Sequence, residues 1–156
     1  MLKNKEIMKN TYIIAEAGVN HNGSIELALE LIDKAKEVGA NCVKFQTFKA
    51  ESIVTKESPK ANYQLLVTDK DESQFEMLKK LELKVNDYSI LIERCKSLGI
   101  DFLSTPYNIE DAELLNSLNV DGFKIASGQL TESFFLKQVA KMKKKNDNIN
   151  RNGKYG

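Results

Sequence analysis

The sequence is poor in the residues that disulfide and metal frameworks need. Its 156 residues include two cysteines and one histidine, too few for a disulfide scaffold or a multi-histidine metal site. Cys42 falls on a predicted strand and Cys95 on a predicted helix. We therefore expect both to be core thiols of a protein in a reduced compartment.

An excess of charge and long apolar runs are also missing. The 23 basic and 22 acidic side chains leave a net charge of +1, which gives no general attraction to nucleic acid or membranes. No apolar run approaches the roughly 20 residues that span a bilayer, and the opening "MLKNKEIMKN" lacks the apolar stretch of a signal peptide. We expect a cytoplasmic protein with neither partner, in which any anion site is local.

Strand and helix patterns alternate four times along the chain. The predicted strands are residues 12–15, 41–48, 101–107 and 121–128, and the main predicted helices are residues 24–40, 87–100, 109–120 and 132–142. Ser24 can cap the first helix, and Gly39, Gly99 and Asn119 can end the first three. This alternation predicts an α/β fold with parallel strands, either a small flavodoxin-like sheet or half of an eight-stranded barrel.

Two segments depart from this alternation. Residues 49–69 form a long polar connection after the second strand, which is typical of a functional or disordered loop, and a short helix is predicted over residues 71–83. Beyond Met142 the chain is basic and polar without apolar periodicity. We therefore predict one folded unit over residues 1–142 and a disordered tail over residues 143–156.

Two lysines stand among apolar residues of predicted strands. Lys44 lies in "NCVKFQTF" and Lys124 in "DGFKIASG". An unpaired charge in such a place costs several kcal/mol. Three explanations remain open: a bound anion, an ion pair with Glu16, or a strand edge where the ammonium group reaches water.

Polar residues follow each predicted strand. Because the carboxyl ends of parallel strands share one rim, we expect the following to converge: Glu16, Asn20, His21 and Asn22 after the first strand, Lys44 and Gln46 on the second, Ser104 and Thr105 on the third, and Lys124, Ser127 and Gly128 on the fourth. Such a set is typical of a site for a phosphorylated or carboxylated small molecule. "NHNG" is equally explained by turn and cap chemistry, and neither a P-loop nor a G-x-G-x-x-G run is present.

These same stretches resemble the sialic acid synthase family. The resemblance is carried by "IIAEAGVNHNGSIELALELIDKAKEVGANCVKFQTFKAESI", "KANYQL" and "FLSTPYNIEDAELLNSLNVDGFKIASG". It covers roughly residues 11–141, and the segments "SPKANYQL" and "DESQFEMLKKLEL" favour the legionaminic acid branch. It implies a (β/α)8 TIM barrel, of which this chain covers the first four β/α units.

The resemblance also implies an activity and a site. The family condenses phosphoenolpyruvate with an N-acyl mannose-type sugar to a nine-carbon acid, releases phosphate, uses Mn²⁺ or Mg²⁺, and is expected to form homodimers. It assigns phosphoenolpyruvate contacts to Lys44, Thr105, Lys124 and Ser127. Gln46 and Asn62 would face the sugar, and Glu16 would lie near the reacting centre. The metal ligands would belong to the second half of the barrel, which this chain does not resemble.

Two departures from the family pattern affect the expected activity. Gln129 stands where the family usually has Glu or Asp after "SG", and an amide cannot take a proton from water. After "VAK" the chain continues as "MKKKNDNINRNGKYG", where the family has a fifth strand. We expect the isolated chain to be an inactive synthase fragment. The alternatives are a different phosphoenolpyruvate-condensing aldolase, a non-catalytic anion-binding half-barrel, or a decayed gene product.

Overall fold

Three parallel strands form the sheet in the computed structural model, which describes residues 11–56, 58 and 72–142. Strand β1 spans Ile14–Gly18, β2 spans Cys42–Thr47 and β3 spans Asp101–Pro106, in the order β1-β2-β3. The register pairs Glu16 with Lys44 and Gln46 with Thr105. Residues that the sequence places far apart thus become neighbours across the sheet.

Six helices accompany the strands in the described ranges: α1 (Ile25–Glu37), α2 (Ala50–Ile53), α3 (Gln74–Lys80), α4 (Val85–Leu98), α5 (Ile109–Ser117) and α6 (Ser133–Lys141). The predicted cap of α1 is confirmed, since the Ser24 hydroxyl accepts a hydrogen bond from the Leu27 amide at 3.2 Å. Gly39, Gly99 and Asn119 follow α1, α4 and α5 with φ of +82°, +61° and +56°, the left-handed conformation of a helix C-terminal cap.

The core lies between the sheet and helices α1 and α4. It includes Ile32, Phe45, Leu91, Cys95 and Phe102, all buried. Burial raises the pKa of the Cys42 thiol to about 11 and that of the Cys95 thiol to about 12, so both stay protonated at neutral pH. Both are free and buried, as expected of core thiols.

The first strand begins two residues later than predicted. Ile14–Gly18 replaces residues 12–15, so Glu16 lies inside the strand and not after it. The physical reason is the pairing of Glu16 with Lys44 in the ladder, which carries the strand past Ala15. The polar connection after β2 also begins differently from the prediction, with the short helix α2.

The prediction of a full fourth strand is wrong. Of residues 121–128, Phe123 makes an isolated bridge to Ser104, and the Lys124 amide donates to the Ser104 carbonyl at 3.0 Å. The chain then forms a 3-10 turn over Ser127–Gln129. The Gln129 side chain accepts the hydrogen bond of the Ala126 amide at 3.2 Å, which removes that amide from any strand ladder.

The predicted tail, residues 143–156, and most of the predicted loop lie outside the described residues. Glu82 anchors the visible start of that loop, because its buried carboxylate accepts hydrogen bonds from the Ala50 amide at 2.8 Å and from Lys49 at 3.1 Å. Among the helices that the structure describes, none is long and apolar enough to cross a membrane.

Candidate active site at the carboxyl end of the sheet

An ion pair lies on the face of the sheet that is turned away from helices α1 and α4, which we call the open face. Lys44 Nζ is 2.5 Å from Glu16 Oε2, and the Lys44 side chain is 14% exposed while that of Glu16 is 52% exposed. The charge of Lys44 is therefore paired within the chain, which is one of the explanations the sequence left open. Because Glu16 faces solvent, an incoming anion can compete with it for the ammonium group without leaving a buried charge unpaired.

Gln46 lies next to this pair, on the same face of β2. The two side chains are two residues apart and partly exposed, whereas Val43, Phe45 and Thr47 are buried on the opposite side, as expected from strand alternation. A Cβ placed on Gly18 would lie 3.2 Å from Glu16 Oε1 and 3.7 Å from Gln46 Nε2. Gly18 thus leaves space between a carboxylate acceptor and an amide donor, a combination that matches a hydroxyl group.

Gln129 has both ends of its amide engaged. It is 4% exposed. Its Oε1 accepts from the Ala126 amide at 3.2 Å, and its Nε2 donates to the Tyr107 carbonyl at 3.0 Å. Tyr107 in turn donates its hydroxyl hydrogen bond to Gln46 Oε1 at 3.2 Å. A continuous line of contacts therefore joins the turn after Ala126 to the sheet face.

The structure brings some of the predicted phosphoenolpyruvate ligands to this rim and leaves others at its edge. Thr105 is buried and pairs with Gln46 in the ladder. Lys124 is exposed, and its Nζ donates to the Ile125 carbonyl at 2.5 Å. Ser127 is exposed at the start of the 3-10 turn. The interpretation of Lys124 as a lysine in a buried strand is therefore wrong, because its segment is joined to β3 by an isolated bridge and not by a full ladder. Asn62 lies outside the described residues.

The loop after β1 is built by turn chemistry, as the alternative interpretation of "NHNG" holds. Asn22 and Gly23 have φ of +49° and +75°, and the Gly23 amide donates to His21 Nδ1 at 3.0 Å. The His21 ring is 1% exposed and its centroid lies 6.1 Å from that of Phe45. Burial lowers the pKa of His21, so the ring is neutral at physiological pH. We find it packed in the protein, away from the open face that bears Lys44.

Sequence reasoning missed two features near this rim. The first is Tyr107, whose one sequence signal is that it is an aromatic residue directly after a strand. Asp111, in the first turn of α5, is buried with its Oδ2 unpaired by any residue that the structure describes. Burial raises the pKa of Asp111 to about 6. A carboxylate in an amphipathic helix gives no sequence signal of burial.

The described residues do not by themselves fit a divalent metal. No group of three histidine, cysteine, aspartate or glutamate side chains that could hold one occurs within the described ranges. The carboxylate of Glu16 on the open face is already paired with Lys44.

Comparison with known proteins gives a consistent result. The NeuB family model matches residues 31–146. The N,N'-diacetyllegionaminic acid synthase of Campylobacter jejuni subsp. jejuni serotype O:2 is 50% identical over 138 residues, which cover 88% of this chain and 41% of the relative. The synthase of the same name from Legionella pneumophila is 48% identical, over 85% of this chain and 37% of the relative.

A solved structure supports the same assignment. The N-acetylneuraminic acid synthetase of Leptospira borgpetersenii serovar Hardjo-bovis, determined in complex with citrate, superimposes with a TM-score of 0.70 at 30% identity, over 84% of this chain and 41% of that one. The fold is thus part of the TIM barrel of these synthases. The chain spans about 40% of the length of the relatives it matches and corresponds to their N-terminal part. Because the family model matches well over half of its residues, the chain belongs to the NeuB family.

Proposed function

We propose that the chain is the substrate-binding N-terminal half of a sialic-acid-type synthase, with legionaminic acid synthesis as the specific branch. The observation that carries this proposal is the line formed by Glu16, Lys44 and Gln46 at the carboxyl end of the parallel sheet. The names of the relatives in Campylobacter and Legionella support the branch. Phosphoenolpyruvate and an N-acyl mannose-type sugar are the proposed substrates.

Lys44 and Lys124 would bind the anionic groups of phosphoenolpyruvate in this proposal, with Thr105 and Ser127 donating hydroxyl hydrogen bonds. An ammonium group is a compact donor that can follow a phosphate. When the anion binds Lys44, the carboxylate of Glu16 is released from its partner and becomes available to the second substrate. The two substrates would then be bound side by side, which lowers the entropic cost of their condensation.

Gln46 and Glu16 would bind one hydroxyl of the sugar between them, the amide donating and the carboxylate accepting. Asn62 is proposed as a further sugar contact. The proposed chemistry joins the phosphoenolpyruvate methylene carbon to the sugar aldehyde, adds water to the resulting cation, and expels phosphate. The ligands of a divalent metal, Mn²⁺ or Mg²⁺, would have to come from outside the described residues.

We propose that Gln129 acts by holding Tyr107 and not by moving a proton. Both its hydrogen-bonding groups are used within the chain, and an amide is neither an acid nor a base at neutral pH. This observation favours a second candidate function, a half-barrel that binds the anion without turnover. Because the chain spans about 40% of the length of its relatives, we expect the chain alone to bind phosphoenolpyruvate and release no phosphate from it.

Isothermal titration calorimetry of the purified chain with phosphoenolpyruvate tests the proposal. We expect binding by the wild-type chain and a loss of at least about tenfold in Lys44→Met, which is about 1.4 kcal/mol. Lys34→Met is the matched control, because Lys34 is an exposed lysine of α1 that pairs with Glu37. Equal affinities of the Lys44 variant and the wild type would refute the assigned site. Sustained phosphate release by the wild-type chain would refute the assignment of a binding half without turnover.

A further inference from the structure

Tyr107 connects three segments around the candidate site. It follows β3 directly, and its amide donates to the Thr47 carbonyl at 3.2 Å. Its carbonyl accepts from Gln129 Nε2 at 3.0 Å, and its hydroxyl donates to Gln46 Oε1 at 3.2 Å. Its ring and that of Phe48 form an edge-to-face pair with a centroid distance of 6.1 Å and an interplanar angle of 83°. Backbone, carbonyl and ring are all fixed, so the hydroxyl has a defined position.

The hydroxyl of Tyr107 holds one end of the Gln46 amide, so that the other end faces the substrate. An amide carries an acceptor oxygen and a donor nitrogen of nearly the same shape. Because the oxygen is engaged by Tyr107, the nitrogen is the end directed towards Gly18 and Glu16. With the amide reversed, an oxygen would stand beside the Glu16 carboxylate. Two acceptors would then face a hydroxyl that has one proton to give.

We propose that Tyr107 is a positioning residue that orients the Gln46 amide for recognition of a sugar hydroxyl. The proposal rests on the proposed function, in which Gln46 and Glu16 bind the sugar. Tyr107 itself need not touch the substrate. Its hydroxyl keeps the Gln46 donor and the Glu16 acceptor in the orientation that binds the sugar hydroxyl. Loss of the Tyr107 hydroxyl therefore weakens binding of the sugar and leaves binding of phosphoenolpyruvate unchanged.

Gln129 has a defined part in this arrangement. Its buried amide holds the Tyr107 carbonyl and closes the 3-10 turn at Ala126. The turn that follows Lys124 and the aromatic residue that orients Gln46 are thereby joined by one side chain. The proposed phosphoenolpyruvate ligands and the proposed sugar ligands are thus mechanically linked through Gln129 and Tyr107.

Tyr107→Phe removes the hydroxyl alone and tests the proposal. We expect the affinity of the chain for N-acetylmannosamine, with phosphoenolpyruvate present, to fall about tenfold, as for loss of one oriented hydrogen bond. The affinity for phosphoenolpyruvate should stay within about twofold. Tyr12→Phe is the matched control, since the Tyr12 hydroxyl bonds Asp101 at the opposite end of β3.

Two further measurements separate positioning from a general loss of structure. In the NMR spectrum, the side-chain amide resonances of Gln46 should shift in Tyr107→Phe and not in Tyr12→Phe. In a double-mutant cycle, Tyr107→Phe should cost nothing further once Gln46 is alanine, because the two act through one contact. Full additivity, or Gln46 resonances that do not move, would overturn the proposal.

The outcomes also distinguish this proposal from the proposed function. If the wild-type chain binds neither substrate while the Gln46 resonances respond to Tyr107→Phe, the contact between Tyr107 and Gln46 is real but the proposed function is wrong. The role of Tyr107 in sugar binding is then refuted as well. If the wild-type chain binds both substrates and Tyr107→Phe binds them equally well, the function stands and the role of Tyr107 is refuted.

Discussion

At the scale of single residues, this site depends on where amides and carboxylates are placed more than on how many there are. Gln129 shows this most clearly. The sequence alone identified it as a neutral substitute for an acid, whereas the structure shows each end of its amide engaged with backbone, at 3.2 Å to Ala126 and 3.0 Å to Tyr107. A carboxylate has no donor for the second contact. The amide therefore stabilises this local structure in a way that an ionised acid cannot.

Gln129→Glu should lower stability as pH rises. One carboxyl oxygen would face the Tyr107 carbonyl, so the protonated form is favoured in the folded state and the pKa of the introduced acid should lie above its unfolded value near 4.3. Stability should match the wild type below pH 4 and fall by about 1–3 kcal/mol as pH rises to 8. Urea unfolding at several pH values measures this change. Gln138→Glu is the control, because Gln138 is a partly exposed residue of α6. A free energy of unfolding of Gln129→Glu that equals the wild-type value at pH 8 would contradict this expectation.

Asp111 should give the wild-type chain a pH dependence of its own. Burial raises its pKa to about 6 from an ordinary value of 3.8, so its protonated form is favoured by folding. Its contribution to stability is complete below pH 4 and is lost as pH rises through about 6. Asp111→Asn should therefore flatten the stability profile between pH 4 and 7 by up to about 2 kcal/mol.

Chemical denaturation across this pH range provides the measurement. Asp121→Asn, at an exposed loop position, is the control and should leave the slope of the profile as it is in the wild type. A profile of Asp111→Asn that runs parallel to the wild-type profile would show that the buried carboxyl does not titrate in this range.

At the scale of elements, the order of the first three strands and of the helices could be predicted from the sequence. The way in which the sheet ends after β3 could not. Apolar periodicity and end signals located α1, α4 and α5, and Ser24, Gly39 and Gly99 have the capping roles expected of them. The segment after Asp121 carries the same apolar signal as β3. Whether it forms a full strand depends on partners on both sides, which is information that a local pattern does not contain.

Some contacts of the candidate site could be predicted from the sequence and others could not. The shared face of Lys44 and Gln46 follows from strand alternation and is confirmed. The Glu16–Lys44 contact was one of several alternatives, because the register of two parallel strands is not written in either strand alone. The link from Gln129 through Tyr107 to Gln46 depends on the paths of two loops, and no sequence spacing predicts it.

Gly23 should be indispensable to the packing of the first loop against α3. A Cβ at this position would lie 2.2 Å from the Lys80 carbonyl oxygen, and φ is +75°. Gly39 has φ of +82° and nothing within 4 Å of such a Cβ, so Gly39→Ala has the backbone cost alone. We expect a loss of about 1 kcal/mol for Gly39→Ala and of about 3 kcal/mol or more for Gly23→Ala. Denaturation midpoints measure both, and equal losses would show that the loop moves aside.

At the scale of the whole molecule, the described part of the chain exposes surfaces that a barrel would cover. Along and before β1, Tyr12, Ile13 and Ile14 are 42%, 50% and 47% exposed. Leu130, just before α6, is 65% exposed, and Phe134, in the first turn of α6, is 66% exposed. Open strand edges and apolar helix faces of this kind favour association. We expect the remaining part of a NeuB-family barrel to cover these surfaces, because the chain spans about 40% of the length of its relatives.

Complementation should therefore restore activity. The chain corresponds to the N-terminal part of the Campylobacter jejuni synthase, of which it covers 41%. Co-expression with the remaining C-terminal part of that synthase should give a complex that releases phosphate from phosphoenolpyruvate in the presence of the sugar and Mn²⁺. Neither part alone should do so. Tyr12→Lys combined with Ile14→Lys, at the open edge of β1, should prevent assembly, and a complex that forms equally well with these changes would assign the interface elsewhere.

An NMR titration of the ¹⁵N-labelled chain with phosphoenolpyruvate tests whether this half of the barrel carries an anion site at the carboxyl end of its sheet. We expect saturable shifts at Lys44, Thr105, Lys124 and Ser127, with smaller changes at Glu16 as its ion pair with Lys44 opens. Shifts confined to the exposed lysines of α1 and α4, or no shifts at millimolar ligand, would contradict this expectation.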